Sequence, residues 1–107
     1  MQLPNRALSE GKEKYSEGLG QLNRGCCLEA VDALSRAAEL LKDDADIWAH
    51  LGVAFVGIDQ SLKARACFER SLALSPGRPL IWNNLGVLLL HAGETEGAHH
   101  AFQRALA

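Results

Sequence analysis

Shifted against itself by 34 residues, the sequence of this chain repeats. Segments 45–73 and 79–107 agree at that offset in Ile47 with Ile81, Trp48 with Trp82, Leu51 with Leu85, Gly52 with Gly86 and Val53 with Val87. They agree again in Ala64 with Ala98, Phe68 with Phe102, Arg70 with Arg104, Leu72 with Leu106 and Ala73 with Ala107. Ordinary residue frequencies would give about two such identities over segments of this length. A repeat of this period means stacked supersecondary units, each of which buries its apolar face only against its neighbours. One step back the match is weaker. Gly18, Leu28, Ala30 and Arg36 precede Gly52, Leu62, Ala64 and Arg70 by one period, but Lys14 and Glu17 occupy the positions of Trp48 and Leu51.

Each unit reads as two helices. Trp48, Leu51, Phe55 and Val56 fall at helical spacing over 45–57, with Asp44 placed to cap the start. After a break at Gly57–Gln60, the pattern Leu62, Cys67, Phe68, Leu72 runs on to Leu74. Ser75, Pro76 and Gly77 stop it, and Pro79 suits the first turn of the next helix. The third unit predicts helices over 79–92 and 95–107 around Gly93, and the first over 6–23 and 27–42 around Arg24 and Gly25. Alternating patterns are absent, so the expectation is an all-α single domain with units at about 6–42, 45–76 and 79–107.

Composition narrows the function classes. Lys plus Arg is 11 and Asp plus Glu is 13, a net charge of −2, which offers no basic field for nucleic acid or an anionic membrane. No apolar run reaches the roughly 18–20 residues of a membrane span, and Met1–Glu10 has no apolar stretch of the secretory type. Three cysteines, Cys26, Cys27 and Cys67, make a poor disulfide framework and point to a reducing, intracellular and cytoplasmic setting.

The residues Trp48-x2-Leu51-Gly52-x2-Phe55, then Ala64-x3-Phe68, then Pro76, resemble the tetratricopeptide repeat, as do Trp82-x2-Leu85-Gly86-x2-Leu89 and Ala98-x3-Phe102. The resemblance implies a helical-hairpin repeat, an α-solenoid of about six antiparallel helices in a right-handed superhelix. Gly52 and Ala64 are small where two helices cross, so a bulky residue there should overpack and cost about 1–3 kcal/mol. Three departures carry expectations. Asp59 stands at a turn that favours glycine. Lys42 stands where Pro76 stands later, so the first unit should run into the second more continuously. Gly97 should weaken the last helix by roughly 1 kcal/mol.

The family's ligands are usually peptides or protein segments, held in a concave groove lined by the first helix of each unit. The matching positions here are Tyr15, Leu19, Leu22 and Asn23; Ala49, Val53 and Val56; and Asn83, Val87, Leu90 and His91. This mostly apolar set suits an apolar or amphipathic segment. One subfamily clamps a terminal carboxylate with Lys and Asn. The positions here are Tyr15, Leu19, His50, Leu80 and Asn84, of which only Asn84 is compatible, so that mode is not expected. Members of the family usually end on a helix with a polar outer face, and the unit holding Leu88, Leu89 and Leu90 lacks one. Either the array continues or another chain covers that side, which makes a homodimer the alternative reading.

Other side chains invite chemistry and carry less. Arg36, Arg70 and Arg104 form a ladder one period apart, read as a basic stripe or as solvated residues with Asp32 paired to Arg36. Glu96, His99 and His100 are too few for a metal site. Cys26 and Cys27 open a helix, where a thiol can be activated, but no CxxC is present. No phosphate loop, HExxH or GxSxG occurs, so neither enzyme activity nor a cofactor is expected.

Overall fold

The computed structural model describes residues 5–107. Six helices follow one another: α1 (Asn5–Asn23), α2 (Cys27–Leu40), α3 (Ala45–Gly57), α4 (Ser61–Leu74), α5 (Pro79–His91) and α6 (Thr95–Leu106). The ends agree with the sequence expectation to within two residues. Consecutive helices pair as hairpins, and the hairpins stack through α2 on α3 and α4 on α5. No strand occurs among the described residues.

The hairpin turns are built by one recipe. Gly25, Asp59 and Gly93, one period apart, hold φ of 77°, 61° and 81°. At each turn the next amide reaches back to close the helix end: Cys26 to the Gln21 carbonyl at 2.8 Å, Gln60 to Phe55 at 2.9 Å, Glu94 to Leu89 at 2.9 Å. A left-handed residue with this back-bond is the common way to satisfy carbonyls at a helix C-terminus. Asp59 fills the role without being glycine, as expected for a residue that tolerates this conformation.

The turns between units are tied differently. The Trp48 indole N–H donates to the Lys42 carbonyl at 2.8 Å, and the Trp82 indole donates to the Pro76 carbonyl at 2.8 Å. The expected continuity at Lys42 is therefore corrected. α2 stops at Leu40 because the Leu41 amide closes on Ala37 and the indole holds the turn, with no proline required. Asp44 caps α3, its carboxylate accepting from the Asp46 amide at 3.0 Å.

Within each hairpin a glycine sits under a large side chain. A Cβ added to Gly52 would lie 2.6 Å from the Phe68 ring, one on Gly86 2.6 Å from Phe102, and one on Gly18 2.6 Å from Leu34. The first unit keeps the device with leucine in place of phenylalanine. The close approach expected at Gly52 is thus set by Phe68, while Ala64 is buried nearby in the core.

Two clusters make the core, and both cross unit boundaries. One joins Leu34, Ile47, Leu51 and Cys67; the other joins Phe68, Leu72, Ile81, Leu85 and Leu89. Leu62 departs from its expected place on the apolar face and is exposed, as is Leu28 one period earlier. Both lie in the first turn of their helices. Leu89 is buried beneath α6, so of Leu88, Leu89 and Leu90 only Leu90 is exposed.

Candidate functional site

The first-helix face carries two adjoining hollows between α3 and α5. One, of about 220 Å³, is bounded by Val53 and Val56 on α3 and by Asn84, Val87, Leu88 and His91 on α5. The other, of about 460 Å³, continues toward the helix N-termini past Ala49, His50, Arg78 and Leu80. Val53 and Val87 hold the same position in successive units and are 40% and 41% exposed. Val56 is exposed beside them.

The sequence candidates divide on this geometry. Val53, Val56, Val87 and His91 meet in the smaller hollow. Ala49 borders the larger one but is itself buried in the core, where α5 closes over it. Asn83 and Leu90 are exposed yet border neither hollow. One residue along a helix turns about 100° round its axis, so Asn84 and not Asn83 faces α3. Leu19 is half-buried, Leu22 packs against the Leu34–Leu51 cluster, and Asn23 is exposed at the end of α1. None of these three borders the α3–α5 hollows.

Tyr15 is drawn into a polar bridge between α1 and α3. Its hydroxyl lies 3.0 Å from His50 Nδ1, which also lies 2.8 Å from the Asp46 carbonyl. A carbonyl only accepts, so the proton sits on Nδ1 and is shared between the two oxygens. Burial, with the negative charges of Asp46 and Asp44, pushes the Tyr15 phenol up to about 12. Asp46 also pairs with Arg78, linking the start of α3 to the start of α5. This pair was not legible in the sequence, because its partners lie 32 residues apart with no motif joining them.

The arginine ladder resolves into contacts within the protein. The Arg70 guanidinium lies over Trp48 at 5.8 Å and Arg104 over Trp82 at 5.1 Å. The first unit has no tryptophan to offer. Arg36 instead bonds Glu10 at 2.9 Å and Glu39 at 3.2 Å, which corrects the expected pairing with Asp32. The ladder therefore reads as intramolecular ties that each unit makes with what it has. His100 stands edge-on to Trp82 at 6.3 Å between ring centres. Cys27 packs against Gly57, and burial pushes the Cys67 thiol up to about 11, leaving it protonated and unreactive at neutral pH. No group of three metal-ligating side chains is clustered among the described residues.

The arrangement is therefore a helical-hairpin repeat with an apolar, polar-flanked groove on its first-helix face. The Tetratricopeptide repeat family model matches residues 67–100, and the six helices have the fold of tetratricopeptide repeat domains. Among curated proteins it is similar to the peroxisomal targeting signal receptor of Candida glabrata, 30% identical over 102 residues, which is 95% of this chain and 16% of that protein. The receptor of Yarrowia lipolytica is 40% identical over 65 residues, 57% of this chain and 11% of that protein. The chain thus spans a small part of these relatives. Among solved structures, MamA is 25% identical at a TM-score of 0.86, covering 90% of this chain and 56% of that one. The second TPR of Spaghetti (RPAP3), solved with the HSP90 peptide SRMEEVD, has a TM-score of 0.88 at 15% identity, covering 96% and 97%. At that identity the likeness shows the fold alone. No helix among the described residues is long and apolar enough to cross a membrane.

Proposed function

We propose that this domain is a non-enzymatic protein-interaction scaffold that holds an apolar or amphipathic protein segment along the α3–α5 face. The observation that carries the reading is the alignment of Val53 and Val87, half-exposed side by side where a folded chain gains by covering them. Asn84 offers an amide to a bound backbone, and the Asp46–Arg78 pair bounds the far end. The relatives are named as receptors of a targeting signal, and the Spaghetti domain was solved with a peptide. Both favour a peptide occupant over a small molecule. Three unpaired cysteines suit an intracellular setting.

The test is a peptide library panned on the domain, followed by affinities of the selected peptides for the Val53→Asp and Val87→Asp variants. A charge in the groove should weaken binding by about tenfold or more, some 1.4 kcal/mol, with the helical signal unchanged. Peptides that bind both variants as tightly as the parent would rule the groove out.

A second reading has its own observation. Ala38, Leu72 and Leu106 share one repeat position. Ala38 shares a cluster with Ile47 and Leu51 of α3, and Leu72, 6% exposed, shares one with Ile81 and Leu85 of α5. Leu106 is 89% exposed. We propose that a second copy of the chain covers this end face when nothing else does.

A further inference from the structure

A second hollow lies on the other side of the stack, between α2 and α4, and its border is unlike that of the groove. It measures about 620 Å³, within the range of small-ligand and side-chain pockets. Its apolar wall includes the half-buried rings of Trp48 and Phe55 and the edge of Leu51. Its rim carries Lys42, Lys63 and Arg70. Lys63 lies over the Phe55 ring at 5.8 Å and Arg70 over Trp48 at 5.8 Å. Among the described residues none of these three cations has a carboxylate within ion-pair distance. The one carboxylate on the rim, Glu39, is already engaged by Arg36 at 3.2 Å. In a chain of net charge −2, an apolar hollow edged by three uncompensated cations is a local reversal of sign.

The repeat supplies a control. The corresponding hollow one unit on, between α4 and α6, measures about 420 Å³. There Leu72 stands for Ala38 and fills the floor, Pro76 stands for Lys42, and Gly97 stands for Lys63. The larger opening and two of its three cations therefore belong to the first hollow alone. They are not a by-product of the repeat.

We propose that the α2–α4 hollow is a second docking site, for an acidic amphipathic protein segment. An apolar side chain of that segment would seat against Trp48 and Phe55, and flanking carboxylates would face Lys42, Lys63 and Arg70. The site does not depend on the α3–α5 groove, and the two faces can be occupied together.

The experiment is an NMR titration of the 15N-labelled chain with two synthetic amphipathic peptides, one carrying leucine and glutamate, the other leucine and glutamine in the same order. The acidic peptide should give saturable shifts at Ala38, Trp48, Lys63 and Ala66 and at the Trp48 indole, and the glutamine peptide should bind about tenfold or more weakly. Raising salt should weaken the acidic peptide selectively. Lys63→Glu and Ala66→Glu change exposed residues, should leave the melting curve intact, and should each abolish the preference for the acidic peptide. Val87→Asp should leave this titration unchanged. Absence of saturable shifts, equal affinity for both peptides, shifts confined to the α3–α5 face, or undiminished binding to Lys63→Glu would each overturn the proposal.

Discussion

The Trp48 indole N–H donates to the Lys42 carbonyl at 2.8 Å, and one period later Trp82 makes the same bond to Pro76. The tryptophan of this repeat thus does two jobs. Its ring is half-buried beside the core, and its one polar atom fastens the turn that leads into its own helix. Because the acceptor is a backbone carbonyl, the residue at the acceptor position is free to vary, and it varies between lysine and proline.

Trp48→Phe tests that relationship. It keeps an aromatic body and removes the donor, so it should cost about 1 kcal/mol from the hydrogen bond and somewhat more from lost contact. Lys42→Ala should leave stability nearly unchanged, since it removes no partner of the indole. Urea unfolding followed by far-ultraviolet circular dichroism measures both. If Lys42→Ala cost as much as Trp48→Phe, the side chain and not its carbonyl would be holding the turn.

Asp59 holds φ of 61° at the turn position where the other two units have glycine. A left-handed conformation costs a non-glycine residue roughly 1–2 kcal/mol, partly offset here because aspartate tolerates it. Asp59→Gly should therefore raise stability by about 0.5–1 kcal/mol. Gly25→Ala and Gly93→Ala should lower it by roughly 1–2 kcal/mol. Thermal melts of the three variants decide the matter. A stabilised Gly93→Ala would mean the turn relaxes out of the left-handed region.

Much of this architecture was legible in the sequence because a period carries information twice. Gly52 and Gly86 announce a close approach, and the structure supplies one, with Phe68 and Phe102 against the glycines in place of the expected Ala64 and Ala98. Helix limits followed from Asp44, Pro79 and the glycine turns. The groove was legible only to within a turn of helix. Asn83 and Asn84 stand about 100° apart round the axis of α5, and periodicity alone does not say which side of α5 meets α3. Pairings such as Arg78 with Asp46, or Arg36 with Glu10, follow from how units are stacked, and no local pattern encodes them. The α2–α4 hollow depends on Ala38 being smaller than Leu72, a difference that means nothing until both are known to face the same kind of space.

Alkaline pH should lower the stability of the domain over two successive windows. Burial raises the Cys67 thiol to about 11, and burial with nearby carboxylates raises the Tyr15 phenol to about 12. Both groups are harder to ionise folded than unfolded, where thiols titrate near about 8.5 and phenols near about 10. Their contribution is therefore full below the unfolded values and falls as pH rises through the folded ones. Stability should decline from about pH 9 to 11 through Cys67 and from about pH 10 to 12 through Tyr15. Cys67→Ala should remove the earlier decline and Tyr15→Phe the later one. Melting temperatures measured from pH 8 upward give the slopes, and an unchanged slope in both variants would place the alkaline transition elsewhere.

Leu106 decides between an open end face and a covered one. Its counterpart Leu72 is 6% exposed, and Leu106 is 89% exposed with Phe102 and Ala105 half-buried beside it. Burying a leucine side chain yields about 1.5–3 kcal/mol, so two copies meeting end to end would gain from this position on both chains. If the chain associates through this face, its mass by light scattering should rise with concentration toward twice 11.6 kDa. Leu106→Glu should then hold it at the single mass, because the paired carboxylates would have to be desolvated against each other. The fold should survive, since the residue touches little of its own chain. Val87→Asp, on the α3–α5 face, should leave the mass unchanged. A dimer that persists in Leu106→Glu but dissociates in Val87→Asp would move self-association to the groove, where it would compete with any bound segment.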